Sequence, residues 1–249
     1  MKNLSVIKFG GSLTKNFAAQ NKFLKGLAAL SKKENIILVH GGGPEINLYL
    51  SQFGIKSKFV NGLRYTDAQT LKIAESALSG KVNKSLVGAL LKNGVKAVGI
   101  SGKDGGSVLC KQKKELGFVG EPIKVNKKLI SLLLNNNFLP VISPISISQK
   151  GFSLNVNADS LASVIAAAFK SAKLIFLTDT AGVLDKNKKT IKQIKVKNID
   201  ALIKDGTITG GMLPKIKACA QCVKKGVKEV WIADGISGIK NLKGTVITK

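Results

Sequence analysis

Along the chain, short runs of β-branched and other apolar residues alternate with stretches where apolar side chains recur at helical spacing. Leu4–Phe9, Ile36–His40, Val95–Ile100, Leu139–Ile142, Leu174–Thr178, Glu229–Ala233 and Thr245–Thr248 predict strands. Several are apolar throughout, as strands covered on both faces are. Between them Ile46/Tyr49/Leu50/Phe53, Leu161/Val164/Ile165/Ala168 and Ile216/Cys219/Ala220/Val223 fall at i, i+3, i+4, i+7 and predict amphipathic helices. Thr66 with Gln69 three residues on reads as a capping box, and Gly80 and Gly226 stand where helices end. Strand and helix in alternation predict an α/β fold on a mostly parallel sheet. No repeat or low-complexity linker divides the chain, so a boundary between lobes is soft and expected near Phe169–Lys173.

Composition adds to this pattern. With 249 residues, 44% of them hydrophobic, the chain can bury a sizeable core as one large domain or two modest ones, which excludes a disordered protein. Lys+Arg 40 against Asp+Glu 14 leaves a net charge of +26, which raises a nucleic-acid partner. The distribution argues against it: only 186–197 is dense in lysine, that stretch holds no aromatic residue for base stacking, and Arg64 is the sole arginine. An acidic partner remains open. Three cysteines, no apolar run of membrane-spanning length and no secretory pattern lead us to expect a cytoplasmic protein without a membrane partner.

The chemistry is carried by glycine-rich turns at strand ends and helix starts. Lys8, Phe9, Gly10 and Gly11 close the first strand, His40 to Gly43 close the second, and Gly210, Gly211 and Met212 open the helix holding Lys215. Such turns let backbone N–H groups approach an anion. Neither a P-loop nor a G-x-G-x-x-G fingerprint occurs. Lys215 in a first helical turn opposes the helix dipole unless a negative ligand sits there, and Lys8 ends a strand where ligands of open α/β sheets bind. Arg64, in a chain that otherwise uses lysine, points to a carboxylate gripped through two parallel hydrogen bonds. Asn155, Asn157 and Asp159 alternate before an apolar helix, a pattern that aligns a substrate and two lysines. Thr178 to Val183 form a polar turn after a strand. His40 is the only histidine, which removes histidine-based triads and multi-histidine metal sites, and Cys219 and Cys222 read as core residues.

Taken together, Lys8–Gly11, His40–Gly43, Gly62–Asp67, Gly80–Lys84, Ser101–Gly105, Asn155–Asp159, Leu177–Gly182, Gly211–Lys215 and Gly244–Thr245 resemble the amino acid kinase superfamily across essentially the whole chain. The likeness is to its branch acting on N-acetyl-L-glutamate. That resemblance implies a three-layer αβα sandwich on a mostly parallel central sheet. An N-terminal lobe, residues 1–170, would bind the acylated amino acid and dimerise, and a C-terminal lobe, residues 171–249, would bind ATP. It implies ATP-dependent phosphorylation of the γ-carboxylate, with Mg²⁺ carried by the nucleotide and no metal held by the protein itself. By position, Lys8 and Lys215 would stabilise the transferring phosphoryl group and Asp159 would orient them. Gly42, Gly43, Arg64, Asn155 and Asn157 would bind the acyl amino acid. Gly10, Gly11, Thr178, Asp179, Gly182, Val183, Gly210, Gly211 and Met212 would bind nucleotide and phosphates. Arginine-sensitive members carry a helix ahead of the first strand, so an arginine-insensitive homodimer is expected. A sister branch uses glutamate or α-aminoadipate on an acidic carrier protein, and the charge of +26 keeps that alternative open.

The implied chemistry agrees with the residues. A carboxylate is ionised at neutral pH, so attack on phosphorus needs no general base and the scarcity of histidine costs nothing. What the transfer needs is alignment and neutralisation of charge, which lysines, glycine N–H groups and a metal supply.

Overall fold

The structure, a computed structural model, describes residues 3–10, 17–178, 181–210, 212–235, 239 and 242–249. The elements run β1 (Leu4–Phe9), α1 (Phe17–Ser31), β2 (Asn35–His40), α2 (Gly43–Gln52), β3 (Phe59–Val60), β4 (Leu63–Arg64), α3 (Ala68–Glu75), a π-helical segment (Ser76–Val82) and α4 (Asn83–Lys92). They continue with β5 (Ala97–Ser101), β6 (Val108–Lys113), β7 (Val119–Val125), α5 (Lys128–Asn135), β8 (Leu139–Ser143), β9 (Ile145–Ser148), β10 (Ser153–Val156) and α6 (Ala158–Phe169). The last are β11 (Lys173–Thr178), β12 (Gln193–Lys195), α7 (Ile199–Lys204), α8 (Met212–Lys224), β13 (Glu229–Asp234) and β14 (Gly244–Thr248).

Eight strands form one sheet in the order β12-β14-β13-β11-β1-β2-β8-β5. Every pairing in it is parallel except β13 with β14. Alternate side chains of β1 serve opposite cores, as the two-residue period of a strand requires. Ile7 and Phe9 pack with Phe23 and Leu27 of α1 and Leu86 and Leu90 of α4. Val6 faces Leu161 and Ile165 of α6, in the cluster that also holds Ile130 of α5 and Ile216 of α8. The result is the expected αβα sandwich, and both faces of the inner strands are dry.

The predicted runs became seven strands of the sheet, and the eighth, β12 at its edge, is a three-residue segment that carries no such run. The remaining strands carry a different signal: β6, β7, β9 and β10 close into a small barrel, and β3 pairs with β4 as a hairpin. These segments alternate apolar and polar residues, or are two residues long, and so lack the buried-strand pattern. Two helix signals also read differently. Asp67, not Thr66, caps α3, its carboxylate accepting from the Thr70 N–H at 2.8 Å. Thr66 instead donates its hydroxyl to the Arg64 carbonyl at 2.9 Å. Gly80 ends nothing, because the chain continues through the π-helical segment into α4. Gly226, with φ +101°, does close α8, accepting the left-handed turn in which the Val227 N–H reaches back to the Cys222 carbonyl. All six lysines between 186 and 197 are exposed.

Candidate active site

The chain leaves β1 for β2 on one side and reaches β11 on the other, so the strand order reverses at β1. Ligands of open α/β sheets bind outside the carboxyl ends of strands at such a point, and there β1 ends in Lys8 and Phe9, followed by Gly10. A Cβ on Gly10 would stand 3.0 Å from the Lys8 ammonium, so glycine leaves that side chain its path. The Lys8 Nζ lies 3.1 Å from Oδ1 of Asp159 in the first turn of α6. That oxygen is buried yet takes no aligned hydrogen bond, so the contact is Coulombic.

The turn after β2 is fixed by its carbonyls. The Gly41 N–H donates to Phe9 O, Gly42 O accepts from the Ile46 N–H, and Gly43 O accepts from Nη2 of Arg64 at 3.3 Å. Among the described residues no partner takes the N–H of Gly42 or Gly43. Gly42 is extended, and its need for glycine is spatial: a Cβ would meet Leu78 Cδ2 at 2.6 Å and Val82 Cγ2 at 3.2 Å, both on the π-helical segment. A wide helical turn of that kind often marks a functional site.

Gly42, Gly43, Arg64, Asn155 and Asn157 line one cavity of about 180 Å³. Arg64 is 8% exposed; Nη1 donates to the Ser57 hydroxyl at 2.6 Å and the guanidinium lies 4.7 Å over the Phe59 ring. It forms no ion pair among the described residues, and burial pushes its pKa down. A buried, uncompensated guanidinium is costly unless an anion joins it. Asn155 donates to the Thr66 hydroxyl at 3.2 Å. Asn157 caps α6, its Oδ1 accepting from the Ser160 N–H at 3.0 Å, so its Nδ2 is the group left for a ligand. The alternation of Asn155, Asn157 and Asp159 therefore ends at the strand–helix junction, yet all three line joined clefts, since Asn157 and Asp159 border the adjoining groove of about 310 Å³.

Lys215 occupies the first turn of α8 and is not within ion-pair distance of Asp159, although the charges of both bear on the thiol of Cys219 one turn along. That thiol is buried, its pKa raised by burial, as is Cys222's; core packing is what these cysteines do. Thr178 ends β11, Gly182 and Val183 pack on the start of β14, and Gly210 and Met212 open α8. The Val183 N–H donates to the Thr245 hydroxyl at 2.8 Å, and a Cβ on Gly182, whose φ is +110°, would meet that hydroxyl at 2.6 Å. Gly11, Asp179 and Gly211 lie outside the described residues.

Ser57, Phe59 and Leu78 also belong to the site and carried no sequence signal, and Thr66 was read only as a helix cap: only their contacts with Arg64, Asn155 and Gly42 place them here. A larger cavity, about 510 Å³, lies elsewhere, beside α1, β11 and β13. Its Glu34 and Lys173 are already paired at 3.3 Å.

The sequence profile of the amino acid kinase family matches residues 3–234. The chain belongs to the amino acid kinase family. Within it, the chain is 65% identical over 249 residues to the acetylglutamate kinase of Endomicrobium trichonymphae, with all of both chains covered. It is 44% identical to that of Geobacter metallireducens, over 92% of this chain and 84% of the relative. Among solved structures, smu.665 from Streptococcus mutans UA159 superposes with a TM-score of 0.85 at 32% identity, covering 100% of this chain and 99% of that one. The αβα sandwich is thus the architecture of an amino acid kinase, with two glycine turns at the carboxyl ends of β1 and β2 and a third at the start of α8.

Proposed function

We propose that this amino acid kinase phosphorylates the γ-carboxylate of N-acetyl-L-glutamate with ATP, a step of arginine biosynthesis. The observation that carries the reading is Arg64, buried and without a carboxylate partner among the described residues, in a cavity of about 180 Å³ shared with the glycine turn. That guanidinium takes the α-carboxylate, and Asn155 and Asn157 fix the remaining polar groups. The γ-carboxylate then points toward Gly42, Gly43 and Lys8.

A γ-carboxylate oxygen attacks the terminal phosphorus of ATP, the bond to the bridging oxygen breaks, and ADP leaves. No proton moves, because the nucleophile is already ionised. Lys8, steered by Asp159, and the free N–H groups of Gly42 and Gly43 face the negative charge that passes between the two anions. Lys215 approaches from the nucleotide side, where Thr178, Gly182, Val183, Gly210 and Met212 bind ATP together with Gly11, Asp179 and Gly211. Mg²⁺, carried by the nucleotide, would neutralise charge on the phosphates, while Asp159, the carboxylate at the reacting end, is engaged by Lys8. The acyl amino acid is bound within residues 1–170 and ATP by residues 171–249, with Gly10 and Gly11 of the N-terminal lobe meeting its phosphates.

We also propose a cytoplasmic homodimer. Its interface is the free edge of β5 in the N-terminal lobe, flanked by the exposed Leu91 of α4 and Leu132 of α5. Trapping the acyl phosphate as hydroxamate tests the central reading. Product is expected from ATP and N-acetyl-L-glutamate; product only from a carrier-linked glutamate or α-aminoadipate would replace the acceptor.

A further inference from the structure

His40 is fully buried at the carboxyl end of β2, and the mechanism above gives it nothing to do. Its surroundings fix its protonation. Nδ1 lies 2.8 Å from the Gly41 carbonyl, which can only accept, so Nδ1 carries the hydrogen. Nε2 lies 3.1 Å from Nδ2 of Asn83, a group that can only donate, so Nε2 is the bare nitrogen. The orientation of Asn83 is itself set, because Val141 O at 2.9 Å and Ile100 O at 3.3 Å can also only accept, so the amide nitrogen and not its oxygen must stand there, its two hydrogens shared among three acceptors. Room for this amide is made in β5, where a Cβ on Gly99 would collide with Asn83 Oδ1. Burial holds the imidazole pKa down to about 4, which agrees with a neutral ring.

We infer that His40, oriented by Asn83, is a positioning residue for phosphoryl transfer: it pins the Gly41 carbonyl so that the next two N–H groups, of Gly42 and Gly43, stay aimed into the cleft. The Gly41 carbonyl has no other partner among the described residues. The inference rests on the proposed role of those N–H groups and adds to it the side chains that hold them.

The test has a part that needs no catalysis. His40 is the only histidine, so one set of ring nitrogens appears in a long-range ¹H–¹⁵N spectrum. The Nδ1–H tautomer is expected near neutral pH; the Nε2–H tautomer would overturn the arrangement. His40→Phe keeps the ring and loses the donor, whereas His40→Asn places an amide N–H near the position of Nδ1–H. If the ring only fills space, Phe is the better substitute. If it positions the turn, His40→Phe lowers kcat about 30- to 100-fold with KM for N-acetyl-L-glutamate changed little, and His40→Asn recovers most of the loss. The Gly42 and Gly43 amide signals should shift in the Phe variant and return in the Asn variant. Asn83→Leu, which frees Nε2, should give a mixed tautomer and an intermediate kcat, and supplies the answer if His40→Phe does not fold. Equal activity of the Phe and Asn variants, or unmoved amide signals, would refute the proposal. A wild-type enzyme that ignores N-acetyl-L-glutamate sinks the assigned reaction instead, leaving the tautomer and amide signals to decide the positioning.

Discussion

The ammonium of Lys8 stands 3.1 Å from a carboxylate oxygen of Asp159, tying the end of β1 to the first turn of α6. The two side chains come from strands and helices more than half the chain apart, and their charges hold one another in the cleft. Asp159→Asn keeps the shape and removes the charge. Its kcat is expected to fall about 100-fold with both KM values within about threefold, because the pair acts on the transferring group and not on ground-state binding. Steady-state kinetics check this; a large rise in KM with kcat preserved would make Asp159 a binding residue.

Arg64→Lys keeps the charge and loses the planar fork. The expected outcome is a rise in KM for N-acetyl-L-glutamate of about 10- to 100-fold, or ~1–3 kcal/mol of binding, with kcat little changed. An unchanged KM would remove Arg64 from the α-carboxylate. The KM for ATP is the internal control.

Two neighbouring glycines should respond differently to alanine. At Gly42 the new Cβ would stand 2.6 Å from Leu78, whereas at Gly43 the nearest atom is Nη2 of Arg64 at 4.0 Å. Overpacking predicts that Gly42→Ala costs about 1–3 kcal/mol of stability, read from urea unfolding, and that trimming Leu78 to Ala in the same chain restores part of it. Gly43→Ala should leave stability nearly unchanged, so any loss there appears in kinetics alone.

His40 makes stability depend on pH with a definite sign. Its pKa falls from 6.5 to about 4 on folding, so the unfolded chain binds the proton first. Stability from this group is complete above about pH 6.5 and is lost as pH falls toward 4, by ~3 kcal/mol in all. Urea midpoints between pH 7 and 5 should fall in the wild type and fall less in His40→Asn, the difference isolating His40 from the carboxylates. Parallel slopes would contradict the burial that depresses the imidazole.

Most of the sheet was legible in the sequence because its inner strands are buried on both faces and read as unbroken apolar runs, as in Leu174–Thr178; β12, short and largely exposed at the edge, was not. The small barrel was not, since Val108–Lys113 and Val119–Val125 mix lysine and glutamate into short alternating segments. Within the site, the unusual residues announced themselves: a lone arginine, clustered glycines, a lysine at a helix start. Asn157 was seen as a ligand group, but its second job as the cap of α6 depends on where β10 stops. Ser57 and Leu78 were invisible because a hydroxyl or an isobutyl group matters only through its neighbour, and long-range contacts leave no local pattern. His40 was read only for what its solitude excluded.

The position of β1 constrains how the molecule can move. Hydrogen-bonded registers bind it to β2 through six residue pairs and to β11 through four. Sliding one half past the other would break these ladders while exposing their backbone groups, so shear is closed to it. A movement that keeps both ladders intact is left only a change of sheet twist about β1, like a propeller changing pitch, and Lys8 stands on that axis.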